Sequence, residues 1–488
     1  MMRAAARLGG PIALVLFVAC VWLNQGVGYD QWEAYRQRVV DTPLAHPIDT
    51  ARYPFAYLYR EVWDVRLYYE IGNMITGRAA DAAFVTRLHG ALPPRFAHSF
   101  PAADGHWHAP YAEVPLEYPA PILPFILAPQ LVASSFEAYG YAFGALMGLC
   151  LVGAAIVSID AARAAGVDAE GLRKRAWLAS GLLLAQGCMA THRLDAVPAL
   201  WLALAVRSAA RRQPLGFGAW MGLAAATKIV PVLMVPAMLA ADARLWREPR
   251  ALARAAVGFA ATLAAGLLPM FFFSAHALGD VLAYHSLRGL HCESLLGLLL
   301  ATARCVTGTP SPTALTFGSD NLQGPVADTL ATLCGPASVA AALGLAWWTW
   351  DRSNLDRDRA DSSDPSTSRV ACAAFASLVA LWLTAKVFSP QYMTWGIPVV
   401  LAIPGALGVR LTWLLVGAMA LTQLYVCGHY ELVREGHPLG LLNLAARFAV
   451  LVAAGVVAAR ALRAPRGLDV PEGTADPSSA ARAVENTT

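Results

Sequence analysis

Apolar stretches recur along the chain from Pro11 to Leu462, and no soluble core of this length could bury them all. A hydrocarbon layer about 30 Å thick takes roughly 20 apolar residues for one helical crossing. The first run is Pro11 to Val27; later ones lie near 138–160, 176–191, 194–208, 216–228, 229–242, 252–274, 328–350, 370–387, 391–408, 411–427 and 440–460. They predict an all-α polytopic membrane protein of about twelve transmembrane helices, several of them short, tilted or broken. Composition agrees, with 57% of the 488 residues hydrophobic and 14% charged, where soluble domains carry roughly 25% charge. A soluble enzyme, a disordered chain and a secreted disulfide scaffold are thereby excluded. A net charge of +4 is too small to argue for nucleic acid. The eight cysteines form no C-x-x-C pair, which speaks against a zinc or thioredoxin-like centre. Cys292 and Cys305 either pair in an outer loop or stay free.

The run at 11–27 follows Arg3 and Arg7; without a small-x-small cleavage site it reads as an uncleaved first span rather than a signal peptide. The segment 118–133 holds four prolines, whose lost backbone donors suit a half-span better than a straight helix. Arginine fixes the orientation. The loops with Arg163/Arg173/Lys174/Arg175, Arg207/Arg211/Arg212, Arg244/Arg247/Arg250 and Arg352/Arg357/Arg359 fall on one side if 118–133 does not cross, and that side is cytoplasmic. Residues 1–463 then form one multi-span domain with a first outer loop at 29–117 and a second at 275–327, and 464–488 forms a disordered cytoplasmic tail. A bacterial plasma membrane, with the functional face toward the periplasm or exterior, is the expected location.

The outer side receives most of the ionisable residues that adjoin apolar spans, a placement that is costly and tends to mark function. Asp64 opens an amphipathic stretch (Val65, Tyr68, Tyr69, Met74, Ile75) that Gly77 would stop. It either caps that helix or serves as a carboxylate at the membrane surface, able to take a proton from a hydroxyl. Glu113 and Glu117-Tyr118-Pro119 enter the membrane with no basic neighbour. Arg193 and Asp195 break two short spans; they neutralise each other, or Asp195 caps a helix and leaves Arg193 for a phosphate. Lys228, one of only three lysines, either snorkels or faces the same site. Tyr284–Ser294 is the densest cluster, with His285 and Arg288 one turn apart and His291, Glu293 and Ser294 following. Lys386 to Tyr392, including Gln391, is a polar turn between spans. His106 and His108, with His89 and His98 nearby, are too irregularly spaced to argue for a metal, and no metal site or cofactor is expected. No P-loop, dinucleotide fingerprint or nucleophile elbow is present.

In this order the motifs resemble the polytopic glycosyltransferases of the C-fold superfamily, above all the polyprenyl-phosphate-mannose-dependent alpha-mannosyltransferases of glycosyltransferase family 87. The matching pieces are Asp64-x-x-x-Tyr68, Pro110-Tyr111-x-Glu113 to Glu117-Tyr118-Pro119, Arg193-x-Asp195, Lys228 before Pro231, His285-x-x-Arg288-Gly289 to Glu293-Ser294, and Ser389-Pro390-Gln391-Tyr392. Ala120 stands where a second proline is usual and His291 where Gln is, departures that bear on the acceptor more than on the chemistry. The resemblance implies an inverting transfer of a hexose, by default mannose, from a polyprenyl-phosphate sugar to a glycolipid or glycan hydroxyl. Arg193, Lys228, His285, Arg288 and Lys386 would hold the donor phosphate and Asp64 would be the catalytic base. Tyr68, Glu117, Tyr118, Asp195, Glu293, Ser294, Gln391 and Tyr392 would orient substrate. The partners implied are the donor, the acceptor and membrane lipids. A secondary transporter or a lipid-linked-sugar flippase is the alternative, although no internal repeat is visible.

Overall fold

The computed structural model describes residues 57–82, 84–86, 104–355, 366–426 and 430–463. The expected first span at 11–27, residues 29–56 and 87–103 of the first outer loop with His89 and His98, the side chains of Arg352, Arg357 and Arg359, and the tail 464–488 lie outside the described residues.

Helix α1 (Tyr57–Thr76) ends at Gly77, whose φ of 71° lets the chain turn off the helix. Asp64 does not cap it. The helix begins seven residues earlier, because nothing between Tyr57 and Trp63 breaks it, and Asp64 lies in its interior. The proline-rich segment is broken as expected: a 3₁₀ turn at Ala120–Ile122, α2 (Leu123–Leu127) and a second 3₁₀ turn at Ala128–Leu131. This run is roughly 20 Å long, too short for a straight crossing.

Helix α3 (Phe136–Ala164) is capped by Ser135 and α4 (Ala169–Gln186) by Asp168. Then come α5 (Ala196–Ala210), α6 (Pro214–Thr227), a 3₁₀ turn at Val230–Met234, α7 (Val235–Ala241), α8 (Ala243–Arg247) and α9 (Pro249–Phe273). Glycines let α6 and α9 touch along their backbones: a Cβ on Gly218 would stand 1.8 Å from the Ala255 carbonyl oxygen, and one on Gly222 2.3 Å from that of Phe259.

The expected second outer loop, 275–327, is folded and adds one small sheet to a molecule that is otherwise helical, as expected. Helix α10 (Ala277–Leu287), β1 (Leu290–His291), α11 (Leu295–Thr307), β2 (Thr313–Thr316) and β3 (Ser319–Leu322) follow one another, and the strands form an antiparallel sheet in the order β1-β3-β2. Phe317 and Gly318, at φ 53° and 68°, make the two-residue turn whose left-handed geometry suits a tight hairpin. Cys292 and Cys305 are both free thiols.

The chain closes with α12 (Pro325–Leu355), α13 (Ser366–Thr384), a 3₁₀ turn at Pro390–Trp395, α14 (Gly396–Ala402), α15 (Gly405–Val426), α16 (Tyr430–Arg434) and α17 (Pro438–Ala461). Every residue of α14 is buried, so this short helix lies at the centre of the bundle. Among the described residues five helices are long and apolar enough to cross a membrane: Phe136–Ala164, Pro249–Phe273, Pro325–Trp350, Gly405–Val426 and Pro438–Ala461. Among the described residues the other expected crossings are shorter helices or pairs of helical pieces, held by neighbouring protein rather than by length. The molecule is a mostly helical, membrane-embedded protein.

Charges collect at its two ends. At one end Asp160 takes hydrogen bonds from Arg207 at 2.6 Å and Arg211 at 2.7 Å, and Arg244 donates to the Ala209 carbonyl oxygen at 3.0 Å. Arg175, expected in a basic cytoplasmic loop, is instead buried in α4, donating to the carbonyl oxygens of Leu401 at 3.1 Å and Ile403 at 2.6 Å. A guanidinium satisfies several helix-end carbonyls at once, which explains its place in the interior.

Candidate functional site

The opposite end of α5 and α6 carries the second collection of charges. Asp195 precedes α5 and Lys228 follows α6, so the two helices present an acid and a base side by side. Lys228 Nζ donates to Asp195 Oδ1 at 2.8 Å, with the two side chains only 8% and 3% exposed. Asp195 therefore neither caps its helix nor neutralises Arg193. Arg193 instead reaches across to α1 and pairs with Asp64. The four residues form two ion pairs joined through Leu194, and Asp64 and Tyr68, one turn apart on α1, face the same place.

Three rings close around the Lys228 ammonium: Tyr118 and Tyr392 at 5.0 Å and Trp395 at 5.4 Å from its nitrogen to their centroids. Cation–π attraction of this kind is worth about 0.5–2 kcal/mol per ring, more where water is excluded. Tyr392 and Trp395 stand three residues apart in the 3₁₀ turn, a spacing that puts them on one face, and they stack at 5.3 Å. Gln391 is buried beside them. The Tyr68 hydroxyl hydrogen-bonds with Tyr118, and the Glu117 carboxylate lies close to both phenols.

Residues 275–327 supply the remaining wall. His285 Nε2 donates to the Glu117 carbonyl oxygen at 2.9 Å, and the Tyr284 hydroxyl meets the Glu117 carboxylate. Burial, with Arg288 beside it, pushes His285 down to about 4. It is neutral at pH 7, so the expectation that it contributes a cation to a phosphate is corrected: its N–H is committed to backbone and its surroundings already hold Arg288, Lys228 and Lys386. Arg288 leaves the helix at its C-terminal cap, before Gly289, and its guanidinium lies 5.9 Å from the Tyr284 ring centroid. Its Nε is buried without a partner, and among the described residues Arg288 makes neither an ion pair nor a hydrogen bond. Lys386 Nζ donates to the Ser286 carbonyl oxygen at 2.7 Å, and among the described residues no carboxylate pairs with it. Burial, then Arg288, lowers it from the usual lysine range.

Asp64, Tyr68, Glu117, Tyr118, Arg193, Asp195, Lys228, His285, Arg288, Lys386, Gln391 and Tyr392 are thus brought to one end of the bundle. Glu293 and Ser294 are not available to substrate. Glu293 is buried against Tyr425 and Arg447, and Ser294 caps α11 by accepting from the Gly297 amide at 3.0 Å. Tyr284, at the head of the densest cluster but given no role from sequence, and Trp395, not singled out at all, also belong to the site. The i,i+3 aromatic pair in P-Q-Y-M-T-W was the signal for Trp395. Among the described residues no group of His, Cys, Asp and Glu is placed to hold a metal ion; His108 is instead paired with Asp104 at 3.0 Å.

With two of its cations already paired and two without a carboxylate partner, the arrangement suits an anion carrying one to two charges, next to aromatic rings and a carboxylate. Compared with known protein families, curated proteins and solved structures, the chain matches none.

Proposed function

We propose that this protein is an inverting glycosyltransferase of the C-fold type, with about twelve crossings. It moves a hexose, by default mannose, from a polyprenyl-phosphate sugar to a hydroxyl of a glycolipid or glycan at the outer face of a bacterial plasma membrane. The observation that carries this reading is Arg288, a cation with no hydrogen bond or ion pair among the described residues, beside Lys386 and the Lys228–Asp195 pair. The opposite end of the bundle holds Arg163, Arg207, Arg211 and Arg244, and the preference of such residues for the cytoplasm supports an outward-facing site.

In the reaction the acceptor oxygen bonds to the anomeric carbon as the bond from that carbon to the phosphate oxygen breaks. The bonding electrons leave with the lipid phosphate, which passes from about one negative charge to nearly two. Arg288 and Lys386 stabilise that charge, and stabilise it more in a site from which water is excluded. The hydroxyl proton passes to Asp64. Protonation of Asp64 weakens its hold on Arg193 just as the phosphate becomes more anionic, so Arg193 is released toward the leaving group. Tyr68, Tyr118, Tyr392 and Trp395 give the sugar faces to pack on, and Glu117 accepts from its hydroxyls.

The test is transfer from a radiolabelled polyprenyl-phosphate hexose by the purified protein in detergent. Asp64→Asn is expected to stay folded and keep donor binding while losing about 10²–10⁴ in rate. A folded protein that transfers no polyprenyl-phosphate hexose overturns the proposal, and Asp64→Asn at the wild-type rate removes Asp64 from the role of base.

A further inference from the structure

Arg447 lies inside α17, in one of the spanning helices, and is fully buried. An ionised side chain at that depth is expensive unless its partners are fixed, and such residues are commonly functional. Its partners come from three distant parts of the chain. Nη2 donates to the Glu293 carbonyl oxygen at 2.6 Å, and Nη1 donates to the Tyr425 hydroxyl at 2.5 Å. The Tyr425 hydroxyl in turn donates to Glu293 Oε2, which is 3.6 Å from Arg447 Nη1. The flat face of the guanidinium covers the Phe388 ring at 4.8 Å and the Phe448 ring at 4.7 Å.

Two of these contacts bear on the proposed phosphate site. Glu293 ends the segment that begins at Arg288, and Phe388 belongs to the turn that begins at Lys386. The two segments are tied to each other directly: the His291 amide donates to the Lys386 carbonyl oxygen at 2.9 Å, and Lys386 Nζ donates to the Ser286 carbonyl oxygen at 2.7 Å. Arg288 itself has no hydrogen bond among the described residues to hold it in place. Its position is set by the backbone on either side: Leu290 and His291 pair with β3, the His291 amide and the Ser286 carbonyl are tied to Lys386, and at the far end of the segment Glu293 is held by Arg447 inside the helical bundle.

We infer that Arg447, with Glu293 and Tyr425, is a positioning network: it clamps the Arg288–Glu293 segment and the Lys386–Phe388 turn to one another, and so sets the separation of the two cations that receive the lipid phosphate. The inference rests on the proposed function for the identity of the ligand. The network never touches substrate. Its effect reaches the phosphate only through Arg288 and Lys386, so disturbing it weakens anion binding without altering the Asp64–Arg193 pair on the far wall.

The experiment measures the rise in melting temperature of purified, detergent-solubilised full-length protein on titration with farnesyl phosphate, with farnesol as the neutral control. A ligand that binds the folded state alone raises the melting point in proportion to its occupancy, which yields a dissociation constant. Wild type is expected to respond to farnesyl phosphate and not to farnesol, and Arg288→Gln to lose the response. Tyr425→Phe removes a single hydroxyl, and Glu293→Gln keeps the size of the side chain. Tyr425→Phe is expected to keep a ligand-free melting point close to wild type, Glu293→Gln to fold but melt lower because the buried Arg447 charge loses its carboxylate, and each folded protein to bind farnesyl phosphate about tenfold more weakly. Arg447→Met is expected to lose more, with partial recovery in Arg447→Lys. Wild-type affinity in both Tyr425→Phe and Glu293→Gln overturns the positioning role while the phosphate site stands. A wild-type protein that melts cooperatively but ignores farnesyl phosphate overturns the phosphate site and the network with it.

Discussion

Removing the Lys228 charge should cost more than removing the Asp195 charge, although the two form one ion pair. Their contact is 2.8 Å long and nearly closed to solvent, at 8% and 3% exposure. Deleting one member of a buried pair costs about 3–5 kcal/mol, chiefly because the other charge is stranded. Lys228→Met strands a carboxylate whose neighbouring cation, Arg193, is already held by Asp64. We expect a loss near 4 kcal/mol. Asp195→Asn strands an ammonium that still faces Tyr118, Tyr392 and Trp395 and retains an amide oxygen as acceptor. Three rings at about 0.5–2 kcal/mol each offset part of the loss, leaving about 1–2 kcal/mol. The double variant has no charge to strand, so it should fall about 2–3 kcal/mol short of the sum of the two single losses. Equilibrium unfolding in mixed detergent and SDS micelles at pH 7 measures all three. A coupling below about 0.5 kcal/mol, or a larger loss for Asp195→Asn than for Lys228→Met, would refute the idea that the pair is a desolvated charge held by an aromatic cage.

His192 and His285 are pushed to about 4 by burial, Arg288 adding to the effect on His285. Their unfolded forms bind protons near 6.5, so the unfolded state gains protons first as pH falls. Stability from these groups is complete above about 6.5 and is lost toward about 4, at about 1.4 kcal/mol per pH unit for each. Melting temperatures taken from pH 7 to pH 4 should show this, His285→Gln should lessen the acid slope, and an unchanged slope would count against the buried neutral imidazole. Gly218→Ala should cost about 1–3 kcal/mol, because its methyl group meets the Ala255 carbonyl oxygen and forces α6 from α9. Gly181→Ala, with nothing within 4 Å, should instead gain about 0.5–1 kcal/mol. Unfolding of the two variants side by side checks the pair, and equal effects would contradict the close helix contact.

Hydropathy located most helices, because an apolar run must be buried in lipid or protein whatever its neighbours do. The Pro-rich break at 118–133 was legible for an equally local reason, the missing amide donors. Local pattern failed where a partner lies far along the chain. Asp64 looked like a cap because its neighbours form a helix, yet that helix begins at Tyr57 and the carboxylate is used by Arg193, more than a hundred residues away. Glu293 and Ser294 sat in the right cluster and still belong elsewhere, since Arg447 and Tyr425, from two later helices, claim Glu293. The hairpin at 313–322 was missed, although Phe317-Gly318 between Thr-rich runs carried its signal. Charge was the most informative local cue for the site: eleven of the ionisable or phenolic residues expected there do converge, because an unpaired charge beside an apolar span has few other places to go.

Helices α5 and α6, of 15 and 14 residues, are short struts. At 1.5 Å per residue they reach only about 20 Å, against a hydrocarbon layer of about 30 Å. In the proposed orientation, with the arginines at one tip anchored among headgroups, Asp195 and Lys228 at the other tip would lie beneath the opposite headgroup plane. A lipid whose polar head is to meet them has to sink as well, drawing its hydrocarbon chain deeper, or the bilayer has to dimple inward to bring the surface down to them.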